Sequence, residues 1–398
     1  MLLNYILANG GSYESILDNW NLDTVSALAR RANDLNAPAI VFVNADSGEG
    51  YIAVDGNVGD RKNLTLWQNG DAVINAVAAE SNNTIVVVHS VGPVILDDYA
   101  NNPNVTAILW AGVPGQESGN AIVDVLYGKV NPSAKLPFTI GANRTDYGTD
   151  ILYTPNHDVP QINYVEGGFI DYRAFDKYNV TPTYEFGFGL SYTTFEYSDL
   201  KVTAHTNVSE YTPPAGYTTD AKTYGNYSAD PADHQFPEAI NSTRISMYCY
   251  PWLNSTDLSA ASADPDYGVE FEYPANSRNG SAQPIPRAGG APGGNPRLYD
   301  VLYTVEATVT NTGAVAGDEV AQLYVSRGGE YEPVRELRGF ERLSAIQPGE
   351  ARTFSVGVTR RDVSSWDTVA QDWVVRDAAK TVWVGRSSRD LPLSEALA

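Results

Sequence analysis

The sequence predicts two consecutive domains. Residues 1–190 read as an α/β sandwich, a mainly parallel sheet with helices on both faces, and residues 191–398 as an all-β sandwich. Two patterns carry that reading. Up to about residue 140, short apolar runs alternate with segments of helical period, whereas beyond residue 298 the apolar positions recur every second residue. At 398 residues, 43% hydrophobic and 19% charged, the chain is globular and long enough for a core in each domain.

Asp23 or Thr24 is placed to cap a first helix that runs to Asn36, with Val25, Leu28, Ala29 and Ala32 on one face. Residues 39–43 form a short apolar strand, after which Gly48, Gly50, Gly56 and Gly59 open a permissive loop. Residues 71–80 read as a second helix. Residues 84–89 are an unbroken apolar run, the signature of a parallel strand buried on both faces. Residues 105–110 make the next strand, and Gly112-Val113-Pro114-Gly115 turns into a helix over 116–126. The pattern ends at 131–137.

The aromatic and glycine-rich stretch 184–192 marks a change of character. Residues 193–202 read as the first strand of the second domain. From 298 onward Tyr299, Val301, Tyr303, Val305, Ala307 and Val309 share one face, ending at Asn311-Thr312-Gly313. Further strands at 319–326, 351–358, 373–375 and 381–384 recur at sandwich spacing. An irregular insertion at about 205–297, rich in Pro, Gly, Ser and Tyr, is too long for a simple connection. Its Tyr248, Tyr250, Trp252 and Tyr267 predict packing against a neighbour. Cys249, the single cysteine, can close no disulfide within the chain and is either a buried thiol or paired outside it.

A net charge of −22 repels phosphate backbones and anionic membrane surfaces, so neither nucleic acid nor membrane is an expected partner. A neutral ligand fits that field. Asn-X-Ser/Thr sequons at Asn63, Asn82, Asn104, Asn143, Asn179, Asn207, Asn226, Asn241, Asn254 and Asn279 point to a secreted glycoprotein. The first residues, Met1-Leu2-Leu3-Asn4-Tyr5-Ile6-Leu7, lack the basic start and apolar length of a signal peptide, so the natural beginning is expected upstream.

No Gly-x-Ser-x-Gly elbow, P-loop or dinucleotide fingerprint is present, and no cofactor is expected. The histidines His89, His157, His205 and His234 are scattered without zinc spacing, and His89 reads as a hydrogen-bonded core residue. Asp46-x-x-Glu49 with Asp55-Gly56-Asn57 fails as a calcium loop because glycines occupy ligand positions. Carboxylate chemistry remains. The loop at the end of strand 39–43 brings Glu49 up between glycines, and Tyr51 offers a flat ring that stacks on a sugar face. Taken alone, the same stretch also reads as a solvated surface loop. Asp46, Asp55 and Asp60 read as loop-shaping residues.

The stretches 44–51 (Asn-Ala-Asp-Ser-Gly-Glu-Gly-Tyr), 59–67 (Gly-Asp-Arg-Lys-Asn-Leu-Thr-Leu-Trp), 107–112, 114–119, 184–192 and 337–340 together resemble the C-terminal part of a fungal family-3 β-glucosidase, over nearly the whole chain. The resemblance implies an α/β sandwich, then a fibronectin type III-like domain with a long insertion. It also implies that Glu49 is the general acid/base and that Tyr51 lines the leaving-group side. The nucleophilic aspartate and most glucose-gripping residues belong to an N-terminal barrel that this sequence lacks. By the same resemblance the parent protein releases terminal non-reducing β-D-glucose from β-glucosides or cello-oligosaccharides with retention, while this chain alone is nearly inactive. Two other readings stay open: a non-catalytic carbohydrate-binding or structural domain pair, and a related exo-glycosidase such as a β-xylosidase.

Overall fold

The structure is a computed structural model that describes residues 2–48, 50, 53, 58–214 and 285–397. Glu49, Tyr51, Asp55, Cys249, Asn226, Asn241, Asn254, Asn279 and residues 215–284 of the expected insertion, with its aromatic residues and His234, lie outside the described residues.

A short helix, α1 (Leu2–Ala8), opens the chain and is absent from the sequence reading; it is closed at Gly10, which has φ +77°, with the Gly11 N–H donating to the Ile6 carbonyl at 2.9 Å. It is held from outside: Tyr5 packs on Tyr127 at 4.6 Å, and the Lys129 ammonium lies 4.2 Å over the Tyr5 ring. Helix α2 (Leu22–Asp34) begins earlier than expected. Its cap is Asn21, whose Oδ1 accepts from the Thr24 N–H at 3.2 Å, leaving Asp23 free to favour the positive end of the helix. Strand β1 (Ala39–Ala45), helix α3 (Gly70–Glu80), strand β2 (Thr84–Ser90), the one-turn helix α4 (Asp97–Ala100), strand β3 (Val105–Trp110) and helix α5 (Ser118–Leu126) follow.

The three strands form a parallel sheet in the order β1-β2-β3, with Ala39 opposite Thr84 and Ala45 opposite Ser90. Val41, Val43, Val86 and Val88 bury one side of it with Val25 and Ala29 of α2 and Val73, Ile74 and Val77 of α3. Leu66, Val94, Leu96 and Tyr99 close the same core. Asp71 starts α3 and accepts the Leu66 N–H at 3.1 Å, and burial pushes its carboxyl above the usual range. His89 stacks on Phe42 at 6.4 Å, and burial lowers its pKa.

Helix α6 (Tyr172–Lys177) links this domain to the second, whose strands are β4 (Phe195–Ala204), β5 (Val301–Asn311), β6 (Gly317–Ser326), β7 (Glu336–Ile346), β8 (Ala351–Thr359), β9 (Ser365–Asp367), β10 (Asp372–Val374), β11 (Lys380–Gly385) and β12 (Leu393–Leu397). Two antiparallel sheets, ordered β12-β11-β6-β7 and β4-β5-β8, face each other, and β9 pairs with β10 in a small ribbon. Val305, Ala307, Val309, Leu323, Val325, Phe354, Val382 and Val384 fill the space between them. Two sequence readings need correction here. Tyr299 is an exposed residue of the 3-10 turn Pro296–Tyr299 rather than the start of a strand face. Strand β7 was missed because Glu336, Arg338, Glu341 and Arg342 interrupt its apolar alternation, and only Leu343 and Ile346 join the core.

The glycine-rich 184–192 stretch proves to be the seam between domains. Its Phe188 carbonyl accepts from Leu136 and its Tyr184 carbonyl from Ile140, each at 2.8 Å, which knits it to the first domain. Toward the second, the Gly187 carbonyl accepts from the Gln322 side chain at 3.0 Å and Glu185 accepts from the Ser387 hydroxyl at 2.6 Å. Helix α6 supplies the other half of the seam. Tyr172 stacks on Phe186 at 4.6 Å and its hydroxyl accepts from the Leu337 N–H. One turn of the same helix carries Arg173, paired with Glu336, and Asp176, paired with Arg335 and Arg389.

Gly187 has φ +80°, and a Cβ there would lie 2.2 Å from the Gln322 Oε1. Gly148 has φ +70° with open space around it. Gly187→Ala is therefore expected to lose about 3 kcal/mol, left-handed strain plus the clash, while Gly148→Ala loses only the strain, about 1 kcal/mol. Urea unfolding of the two variants measures both, and equal losses would remove the clash from the seam.

Candidate active site

Strand β1 ends at Ala45, and the chain that leaves it is a loop closed at its neck. The Gly48 N–H donates to the Gly59 carbonyl at 2.9 Å and the Gly50 N–H to the Val58 carbonyl at 2.5 Å. Below these, the Ser47 hydroxyl oxygen accepts from the Arg61 N–H at 3.0 Å. Asp46 accepts from the Ser47 N–H at 2.9 Å, and Asp60 takes a long 3.5 Å bond from the Ser47 hydroxyl, so both aspartates shape the loop as the sequence implied. Glu49 is bracketed in the chain by Gly48 and Gly50, whose N–H groups are both spent on the returning strand.

The returning strand is fixed to the C-terminal ends of β1 and β2, the position where α/β sheets bind ligands. Trp67 N–H donates to the Asn44 carbonyl at 2.8 Å, Ile95 N–H to the Leu64 carbonyl at 2.8 Å, and Val91 N–H to the Ala45 carbonyl at 3.2 Å. Arg61 adds a side-chain tie. Its Nη2 donates to the Pro93 carbonyl at 2.7 Å and passes close over Gly92, where a Cβ would lie 2.9 Å from that nitrogen. Its Nη1 is buried and has no hydrogen-bond partner among the described residues. Burial lowers the Arg61 pKa, with the nearby Tyr147 acting in the opposite direction. Tyr147 is itself buried, its pKa raised, with its hydroxyl donating to the Thr139 carbonyl at 3.0 Å.

Next to the loop, the Lys62 carbonyl accepts from Arg144 Nη1 at 2.7 Å and from the Tyr153 hydroxyl at 2.8 Å. Arg144 also pairs with Asp150 and reaches the Tyr153 hydroxyl at 2.5 Å. Sequence reasoning quoted Ser47, Arg61 and Lys62 inside motifs but gave them no role. Nothing in spacing or composition signals that Tyr153 returns to Lys62. A cavity of about 390 Å³ is lined by Asp97, Asn101, Thr181, Thr183 and Tyr184, and no described residue of the 46–61 loop lines it. Among the described residues no cluster of His, Cys, Asp and Glu is arranged to hold a metal.

The described sequons differ in their surroundings. Asn63, Asn82, Asn143, Asn179 and Asn207 are exposed. Asn104 is half-buried, and its Nδ2 donates to the Ala78 carbonyl at 2.7 Å.

Comparison with known proteins agrees with this architecture. Residues 12–192 match the glycosyl hydrolase family 3 C-terminal domain, and residues 319–388 match a fibronectin type III-like domain. The chain carries these two domains in the order in which it aligns with the C-terminal part of longer family-3 relatives. It is 54% identical over 398 residues to the probable β-glucosidase A of Aspergillus terreus, which covers 99% of this chain and 45% of that protein. β-Glucosidase A of Aspergillus kawachii is 53% identical, again with 45% of its length covered. Among solved structures, the Chaetomium thermophilum β-glucosidase superposes with a TM-score of 0.83 at 54% identity, covering 99% of this chain and 47% of that one. The Trichoderma reesei β-D-glucoside glucohydrolase gives a TM-score of 0.73 at 36% identity, covering 100% and 44%. This chain thus spans about 45% of the length of the curated relatives it matches.

Removing the Ser47 hydroxyl takes the acceptor from the part-buried Arg61 N–H. Ser47→Ala is expected to speed hydrogen exchange at the Arg61 amide roughly fivefold to tenfold, as loss of about 1 kcal/mol of hydrogen bonding implies. Unchanged exchange there would mean that the neck does not depend on Ser47.

Proposed function

We propose that this chain supplies the acid/base half of a retaining β-glucosidase that releases terminal β-D-glucose from β-glucosides or cello-oligosaccharides. Breaking a glycosidic bond with retention takes one carboxylic acid to protonate the leaving oxygen and one carboxylate, about 5–5.5 Å away, to attack the anomeric carbon. Glu49 is the first of these. Tyr51 lines the leaving-group side. The attacking aspartate and most of the groups gripping the sugar come from an N-terminal barrel, in the part of the longer relatives that this chain does not span.

The observation that carries the proposal is the neck-closed loop at the C-terminal end of β1, with its carboxylate between two glycines. The loop stem on either side of Glu49 is pinned by backbone pairs, by Ser47 and by Arg61, and a fixed stem is the contribution general acid catalysis needs from a scaffold. The names of the relatives, β-glucosidases at 53–55% identity over nearly all of the chain, favour glucose over xylose.

The test joins this chain behind the N-terminal part of the Aspergillus terreus relative that it does not cover. The chimera is expected to hydrolyse aryl β-glucosides and cellobiose with retention, read as the first anomer released, while the 398-residue chain alone gives background turnover. In the chimera, Glu49→Gln is expected to cost about 10²- to 10⁴-fold on cellobiose and far less on an aryl glucoside whose leaving group needs little protonation. Equal losses on both substrates remove Glu49 from the acid role. Higher kcat/KM on aryl xylosides than on aryl glucosides moves the assignment to a xylosidase.

The same reading makes the protein secreted and N-glycosylated. An N-linked glycan is carried on Nδ2, and at Asn104 that atom is engaged with the Ala78 carbonyl. Glycopeptide mapping of the secreted protein is expected to find sugar at exposed sequons such as Asn63, Asn82 and Asn207 and none at Asn104. A fully occupied Asn104 would contradict the described geometry.

A further inference from the structure

Between residue 149 and helix α6 the chain forms no helix or strand, yet it holds a run of apolar side chains in water. Ile151, Leu152 and Tyr153 are 45–56% exposed, and Ile162, Tyr164 and Val165 are 67–88% exposed. Single exposed apolar residues are ordinary, but so many along one short segment is the mark of an interaction surface. This one is fastened to the candidate active site, because the Tyr153 hydroxyl and Arg144 both donate to the Lys62 carbonyl, on the strand that returns from the acid/base loop.

The occupant follows from the chemistry and from length. Relatives that align with 99% of this chain have more than half of their own length elsewhere. If Glu49 protonates the leaving group, the opposing carboxylate must stand about 5–5.5 Å away, so the polypeptide that brings it has to pass directly beside this loop. We propose that residues 149–170 are the docking face for the N-terminal half of the longer protein, and that the Tyr153–Lys62 hydrogen bond transmits that docking to the acid/base loop. The proposal rests on the functional reading above. Tyr153 is a positioning residue in it: its ring belongs to the docking face and its hydroxyl to the loop.

The experiment compares the 398-residue chain with the chimera carrying the Aspergillus terreus N-terminal part. In the chimera, amides of residues 151–165 are expected to exchange at least tenfold more slowly than in the chain alone. Tyr164→Asp with Val165→Asp should leave the melting temperature of the chain unchanged. In the chimera the same pair should erase that protection and lower turnover at least tenfold. Leu17→Asp with Val369→Asp, at positions 98% and 94% exposed, should change neither protein. Tyr153→Phe keeps the ring and loses the hydroxyl, so protection should remain while kcat falls several-fold at unchanged KM.

Exchange that is the same in chimera and chain overturns the docking face, as does an equal effect of the two aspartate pairs. A silent Tyr153→Phe overturns the transmission to the loop. Docking and chemistry separate cleanly, since Glu49→Gln should keep the protection and lose turnover. Protection without turnover in the unmutated chimera would sink the glucosidase reading and leave the docking face standing.

Discussion

The closure of the 46–61 loop on itself is the constraint on which the site depends. A loop leaving the end of a parallel strand is free to wander, because its backbone groups can be satisfied by water as well as by protein. Here the two N–H groups flanking Glu49 are committed to Gly59 and Val58, and Ser47 and Arg61 join the ascending and descending chains below them. Arg61 then ties that closed neck to the turn after β2 through Pro93. Its guanidinium is part-buried, and among the described residues one of its nitrogens has no hydrogen-bond partner, which carries a desolvation cost. That cost is borne by the side chain that places the neck against Pro93.

Under the proposed function a fixed neck matters because glycoside hydrolysis is a problem of placement between two carboxylates. A displacement of an ångström changes the angle at which a proton reaches the leaving oxygen, and positioning of this kind carries much of the rate. A chain that brings one carboxylate can therefore be well built for the reaction and still perform almost none of it alone. The proposed docking fits apolar side chains left in water beside the loop while the β-sandwich core is closely filled, since a surface that awaits a partner stays apolar until it is covered.

Much of the fold was legible because burial writes a period into sequence. The valines of β1 and β2, the face of α2 and the alternation of β5 each follow from which side meets the core. Elements were missed where something other than burial decides. Strand β7 carries charges because it borders the seam, where Glu336 takes Arg173, Arg327 and Arg338. Helix α1 has only a glycine cap at its C-terminal end as a local signal, and its contacts with Tyr127 and Lys129 are not announced by the sequence. At the site, the glycine-flanked glutamate could be read as a pattern, since glycine spacing is local. The roles of Arg61 and Tyr153 could not, because each acts on a residue brought near only by folding: Pro93, 32 positions away, and Lys62, 91 positions away.

Among the contacts by which the second domain bears on the first is a deeply buried ion pair. Lys135 and Glu319 meet at 3.0 Å with side chains 11% and 4% exposed, and the buried Tyr197 hydroxyl donates to the same carboxylate at 3.0 Å. A pair so withdrawn from water gains little net stability, since desolvation offsets most of the attraction. What it does is forbid alternatives: a sandwich docked one residue out of register would leave Glu319 buried and uncompensated, at about 3–5 kcal/mol. Lys135 precedes Leu136, which donates to the Phe188 carbonyl and accepts from the Gly187 N–H of the seam, and Arg173 and Asp176 of α6 impose matching demands on β7 and the chain around it. The same helix ends the exposed segment beside the loop. The β-sandwich therefore fixes one end of that segment and the Tyr153–Lys62 bond fixes the other, which leaves the apolar stretch between them held in place and uncovered.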